Sequence, residues 1–493
     1  MKWKAEVKSY FHYLLKSNRI ALVFFAILYG LIVFSSGISH EYESSLMGAY
    51  AMSMMLAFVL PIYLLRWVHS RKSADIYAAL PFSRRTMLLS TLLLSFLVPT
   101  LYFLCFGGLY ALIAFNRPVV YTYMTLLAHT AFSVLCIILF NTAVWLAANN
   151  SVDGIILLGA YTLMPVMLSI CLSRFLRSMS PVMFSKPDSL YLLSPVFSSF
   201  YNTDRIIHMH DPSYSGTSAP ISWKLYLWMA LIAVIAALTL RKNFIGRKME
   251  RAEQLSDGFF AYPFVIGVYT AFILLMLCAD IFTNNITLFM ILAVFAVYMI
   301  SQFIYRRQLK PTMKMILSFV LCLAVCLGTS AVTWYSECFH AADHLTPDRR
   351  YVAYNYDSSL DREGMVNCTF TLTIDRQDAG QQEAAALMNS LQAKMTDAFY
   401  GEDAEETDSD GVIRSYQSLL ITTADTEEDF MQGNYTTLYS AYIDTSAGLD
   451  QEDLKMISRY TDVTVYVTDE DTFEYEELSY DDYLKKYGGE END

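Results

Sequence analysis

Charge is what this chain has least of. Asp, Glu, Lys and Arg make up 17% of its 493 residues, against about 25% in a soluble domain. With 55% hydrophobic residues, that shortage excludes a disordered chain and an ordinary cytosolic enzyme, whose surface needs more charge. The 20 glycines and 13 prolines are too few for a collagen, and eight cysteines in so long a chain do not make a small disulfide scaffold. Signatures of chemistry are missing too. No Gly-x-x-x-x-Gly-Lys-Ser/Thr loop is present to cradle a phosphate, and no dinucleotide glycine fingerprint. Neither His-Glu-x-x-His, Gly-x-Ser-x-Gly nor Cys-x-x-Cys occurs. The chain is therefore read as no enzyme in itself, with no cofactor.

What is present is a series of uncharged apolar runs. Nine meet or approach the roughly 20 residues that a bilayer-spanning helix needs. They are Ile20–Gly37, Leu46–Leu65, Met87–Phe115, Tyr121–Asn150, Gly154–Ser173, Leu225–Leu240, Phe259–Ala279, Ile286–Tyr305 and Met315–Tyr335. The sixth is short and is expected to start a turn earlier, with Lys224 reaching back to the headgroups. The first lacks a small-residue cleavage site and is not read as a cleaved signal. Prolines 61, 99 and 165 fall inside runs, where neighbouring groups can resatisfy the carbonyls they free. His129, also inside a run, is expected to be neutral and bonded across a helix pair.

Charge is also unevenly placed. Residues 1–335 hold 12 acidic and 25 basic residues, and residues 336–493 hold 36 and 10. With the N-terminus inside, 19 of those 25 cations fall on cytoplasmic segments and 6 outside, as the positive-inside rule favours. Nine spans then put residues 336–493 outside. The expected fold is a polytopic α-helical membrane protein of about nine spans with an acidic extracytoplasmic α+β domain. Within that tail, Met365–Ile374, Val412–Thr423, Tyr435–Asp444 and Val463–Val467 read as strands, and Gln381–Tyr400 and Leu449–Tyr460 as helices. The order β-α-β-β-α-β is that of a ferredoxin-like domain. Residues 469–493 read as frayed.

The second basic segment runs from Arg66 to Arg85. Ile76, Ala79 and Leu80 lie at helical spacing and Pro81 stops the turn, so a short amphipathic helix on the inner face is expected, suited to docking or surface anchoring. The stretch Leu80-Pro81-Phe82-Ser83-Arg84-Arg85 resembles the Leu-Pro-x-Ser-Arg loop of the membrane subunits of type-2 ABC transporters. It departs from them at Ser90 and Thr91, where that family often carries Gly-Lys. The layout of six spans over 1–251, with a long connection between the fifth and sixth, is similar as well. There the apolar Leu190–Phe200 is too short to span and is expected to dip back into the outer leaflet. The three further spans (252–335) and the domain at 336–493 resemble an extension on some bacterial permeases.

The resemblance implies a permease subunit in a bacterial plasma membrane, exporting a drug, peptide or lipid-like substrate. It also implies a separate ABC ATPase, which contacts Asp75, Ile76, Leu80, Pro81, Phe82, Ser83, Arg84 and Arg85, and a second permease chain, identical or related. Beyond these and the lipid bilayer no partner is expected, and no nucleic acid. The rival reading is a membrane sensor or assembly protein whose ectodomain binds a ligand and whose basic loops recruit a partner. Two clusters outside the spans, Cys338/His340/Asp343/His344 and His208/His210/Asp211, have spacings that also arise by chance, so no metal site is assigned. Cys338 and Cys368 stand alone in the acidic tail, where pairing and free thiols are both open.

Overall fold

A long uncharged run leaves a backbone few partners but itself, and an α-helix satisfies its N–H and C=O groups within one segment. The computed structural model has a helix on each of the nine runs. It describes residues 2–37, 42–114, 117–184, 189–209, 221–246, 252–254, 256, 261–281, 287–307, 309–342, 345, 349–359, 366–400, 417–426, 430, 435–443, 451–468 and 475–487. The helices are α1 (Lys2–Ser17), α2 (Arg19–Gly37), α3 (Tyr42–Leu65), α4 (Arg71–Ala78), α5 (Arg84–Tyr102), α6 (Gly108–Ala114), α7 (Arg117–Ala147), α8 (Ser151–Met179), α9 (Pro195–His208), α10 (Trp223–Ile245), α11 (Tyr262–Asp280), α12 (Thr287–Arg306) and α13 (Met313–Tyr335). Among the described residues, eight helices are long and apolar enough to cross a membrane, and α1 with α2, bent by 68°, would be a ninth. By length and composition this fits a polytopic helical membrane protein. A π-helical turn, Phe103–Gly107, joins α5 to α6 four residues after Pro99.

Two compact units divide the chain. One comprises Met1–Ile170, Asp188–Ile273 and Leu292–Val320; the other comprises Cys171–Pro187, Leu274–Ile291 and Leu321–Asp493. The division runs through α8, α11, α12 and α13.

In the first unit α7 is the central helix, packed on α3, α5, α9 and α10. Its interior holds Tyr29, Tyr50, Leu56, Trp67, Leu94, Phe103, Ile137 and Trp145. Small polar side chains are buried beside them: Ser53, Ser90, Thr91, Ser95, Thr122, Thr130, Ser133 and Thr142. Such residues let helices approach closely, and Thr130 and Thr142 return their hydroxyls to carbonyls four residues back, both at 2.6 Å. Outward faces are apolar: Ile20 is 80% exposed and Ile304 72%.

The second unit carries a six-stranded antiparallel sheet of β1 (Tyr351–Ser359), β2 (Val366–Asp375), β3 (Gln417–Ala424), β4 (Thr436–Ile443), β5 (Thr464–Thr468) and β6 (Tyr475–Ser479), in the order β4-β3-β1-β2-β5-β6. Val352, Tyr354 and Tyr356 alternate inward from β1, as do Cys368, Phe370, Leu372 and Ile374 from β2, against Ala384, Met388, Leu391 and Met395 of α14 (Gln382–Tyr400). Helices α15 (Gln451–Ile457) and α16 (Tyr480–Tyr487) complete it.

The ferredoxin-like order is corrected here. The β-α-β-β-α-β run exists as β2 to β5, and β2–β5 and β3–β4 are neighbours as that fold requires. However, β1 takes the place between β2 and β3 and leaves β4 at the edge. Residues 475–487, read as frayed, form β6 and α16.

Candidate functional site

After α3 the chain makes a tight turn at Arg66–His69 that buries Trp67, Val68 and His69. His69 stacks on Trp145 with ring centroids 4.4 Å apart, and Trp67 stacks on Tyr77 of α4 at the same distance. These stacks hold the back of α4 against the unit. Ser83 then caps α5 by accepting from Thr86 N at 3.1 Å.

The eight residues expected to meet an ATPase divide by exposure. Asp75, Ile76, Pro81, Ser83 and Arg85 are exposed, Ile76 at 66%. Leu80, Phe82 and Arg84 are half-buried. Leu80 and Phe82 pack on the unit's own core, Phe82 with its ring 5.2 Å from that of Tyr10. Arg84 donates to the carbonyl of Ile245 at 3.4 Å. Of the three expected apolar anchors, only Ile76 stands clear of its own chain.

Ala252, Glu253 and Ser256 tie α4 to the Asn149–Asp153 turn. Arg71 donates its backbone N–H to Glu253 Oε1 at 3.2 Å and its Nε to the Ala252 carbonyl at 3.0 Å. Glu253, at φ 65°, donates its own N–H to the Asn149 carbonyl at 2.9 Å. That φ lies in the left-handed region which a glutamate seldom adopts without support. Ser256 Oγ accepts from Asn149 N and donates to Asp153 Oδ2 at 2.8 Å, while Tyr262 donates to Asp153 Oδ1 at 3.0 Å. Asp153 is thus a buried carboxylate with both oxygens bonded. Sequence reasoning missed this node. One signal was available: Asp153 is the only acidic residue between Asp75 and Asp188.

A second polar cluster surrounds His129 on α7. Its Nε2 lies 3.0 Å from the Ser199 carbonyl and 3.0 Å from Thr203 Oγ1, and its Nδ1 lies 2.6 Å from the Tyr226 hydroxyl. A carbonyl only accepts, so the neutral ring carries its proton on Nε2 and accepts a hydrogen bond from the Tyr226 hydroxyl at Nδ1. Tyr50 stacks on the ring at 5.4 Å and its hydroxyl bonds that of Ser199. The expected interhelix histidine is present, joining α7, α9 and α10. Leu190–Phe200 folds as a turn at Leu190–Leu193 followed by α9, whose Ser198, Ser199, Asn202 and Thr203 are buried.

The two histidine clusters lie only partly within the described residues. Asp343, His344, His210 and Asp211 lie outside the described residues; among those described no group of three or more His, Cys, Asp or Glu could hold an ion. His340 pairs with Glu337 at 3.4 Å and His208 with Asp204 at 3.5 Å. The Cys338–Cys368 disulfide, open on sequence grounds, is not formed: both are buried free thiols. Burial, with the Asp357 charge adding to it, pushes the Cys368 thiol up to about 12. Burial also raises that of Cys338, opposed by a hydrogen bond to Ser180. Compared with protein-family models, curated proteins and solved structures, the chain matches none.

Proposed function

We propose that the chain is the membrane permease subunit of a bacterial ABC transporter, working as an exporter. A separate ATPase would dock on α4 and the Leu80–Arg85 stretch, and a second permease chain would complete the complex. The observation that carries this reading is a helix fixed from behind and bare in front. The Trp67–Tyr77 stack and the Arg71 bonds hold α4, while Ile76 and Asp75 face outward. It occurs in the loop bearing the permease-like sequence, in a chain without a nucleotide loop of its own. A rigid helix with one apolar anchor and a charged rim is what a docking segment needs. ATP-driven movement of the ATPase would then bias the helices between two arrangements.

Ile76→Asp is the informative variant, because Ile76 supports nothing in its own fold whereas Leu80 does. Loss of a central anchor costs about 2 kcal/mol, roughly thirtyfold in affinity. ATP hydrolysis that co-purifies with the tagged full chain should therefore fall by about that factor, with membrane insertion unchanged. If Ile76→Asp keeps its ATPase while Arg84→Ala with Arg85→Ala detaches the loop from anionic vesicles, the segment is a lipid anchor and the reading is wrong.

A further inference from the structure

The two edges of the six-stranded sheet are finished differently. β4 is closed by the segment Pro181–Met183. Met183 N donates to the Leu438 carbonyl and Ser440 N to the Pro181 carbonyl, both at 2.8 Å, with Val182 bridged to Tyr439. Among the described residues β6 pairs on one side only, with β5.

The phase of that pairing decides which backbone groups are left over. Tyr480 N donates to the Val463 carbonyl at 3.0 Å, so the facing pair Thr464–Ser479 is of the non-hydrogen-bonded kind and the two kinds alternate from there. Glu476 and Leu478 turn their N–H and C=O groups to β5. Tyr475, Glu477 and Ser479 turn theirs away from the sheet, where no described residue pairs with them. Their side chains share the face opposite the core, whereas Glu476 on the core side is held by Lys486 at 2.6 Å. A cavity of about 460 Å³ opens at the end of β6, lined by Asp462, Glu477 and Asp481 with Ser458, Thr461 and Ser479.

An open edge is normally blunted by charge, proline, a bulge or shortness; β6 is short and carries Glu476 and Glu477 but no lysine, proline or bulge. Two copies of this edge paired together would set carboxylates against carboxylates, which is unfavourable. Residues 336–493 as a whole carry 36 acidic against 10 basic residues. We propose that β6 is a docking edge for an extended cationic peptide segment. The segment adds as a seventh strand through the main-chain groups of Tyr475, Glu477 and Ser479, and sets a Lys or Arg side chain in the cavity beside Glu477. Main-chain bonds supply affinity and the acidic cavity supplies choice. This does not rest on the transport reading.

The test titrates the full chain, in nanodiscs of zwitterionic lipid, with a fluorescent peptide of alternating lysine and valine. Its counterpart N-methylated at every amide keeps the charge and loses every main-chain donor. The lysine peptide should bind, and N-methylation should weaken it about tenfold or more. Glu477→Pro removes an outward N–H and spares the β5 ladder. It should weaken binding about tenfold, while Glu477→Gln, the same change in charge, should weaken it less. Absence of binding, or equal binding of the methylated peptide, overturns the proposal, as do equal effects of Pro and Gln. Should Glu477→Pro fail to fold, the two peptides on the unaltered chain decide.

Discussion

The helical unit and the sheet unit are built inside out with respect to one another. In the first, Ser53, Thr91, Ser133 and His129 are buried while Ile20, Leu112, Leu231 and Ile304 face outward. In the second, Phe370, Leu391 and Val465 are buried while Glu383, Asp397, Glu477 and Asp481 face outward. This inversion is what an apolar solvent around the one and water around the other would select. In water, transfer of apolar area drives packing. In hydrocarbon, close approach and hydrogen bonds must do so. The contrast can be broken by substitution, since each interior should fail for a different reason.

The largest effect is expected in the sheet. Phe370, from a central strand, is almost wholly covered and packs its ring 5.2 Å from that of Tyr356. Phe370→Ala removes transferred area and leaves a cavity, at a cost of about 3–5 kcal/mol. Hydrogen exchange of the β1 and β2 amides should quicken accordingly, with the α7 amides unaffected. A loss below that of the helical variants that follow would mean the sheet is not held by its apolar interior.

Next comes a crowding effect in the helical unit. A Cβ on Gly154 would sit 2.6 Å from the Trp145 ring and 3.3 Å from that of His69. Those rings are stacked on each other and buried, so neither can swing away. Gly154→Ala should cost about 1–3 kcal/mol, seen as a lower melting temperature of the full chain in detergent. A neutral result would show that the turn at Arg66–His69 yields easily, and would weaken its role as the rigid back of α4.

Much of this contrast was legible in the sequence, and the reasons differ by unit. Each of the nine apolar runs has one structural solution, so helices stand on all of them. Lys224 indeed falls in the first turn of α10. In the sheet unit, β2 through β5 and both intervening helices follow from local periodicity. β6 has none to offer: four of its five residues are exposed, and an edge strand with Glu476 and Glu477 looks like a charged tail. β1 does alternate, with Val352, Tyr354 and Tyr356 inward. Its insertion between β2 and β3 is a non-local pairing that no periodicity encodes. The same holds at the polar sites. Ser83 as a helix cap and the stop at Pro81 are local. The Asp153 bonds to Ser256 and Tyr262 span 103 and 109 residues, and Tyr226 lies 97 residues from His129.

The smallest effect sharpens the comparison most. His129→Phe keeps a ring of similar size against Tyr50 and removes the bonds to Ser199, Thr203 and Tyr226. In water, stranding a buried hydroxyl costs about 1–3 kcal/mol, and Tyr226 is half-buried. Among membrane helices a single interhelix hydrogen bond averages about 0.6 kcal/mol and reaches about 1.7, because the unfolded helices also find partners in lipid. A cycle of His129→Phe, Tyr226→Phe and the double variant, read by unfolding in mixed micelles, isolates the one bond at 2.6 Å. Its coupling should lie at about 0.6–1.7 kcal/mol, below the loss from Phe370→Ala. A value near zero would make the cluster an incidental meeting of polar groups. A value above the Phe370 loss would mean that the helical interior is held chiefly by its hydrogen bonds, and that close packing around Ser53, Thr91 and Ser133 contributes less than the contrast between the units requires.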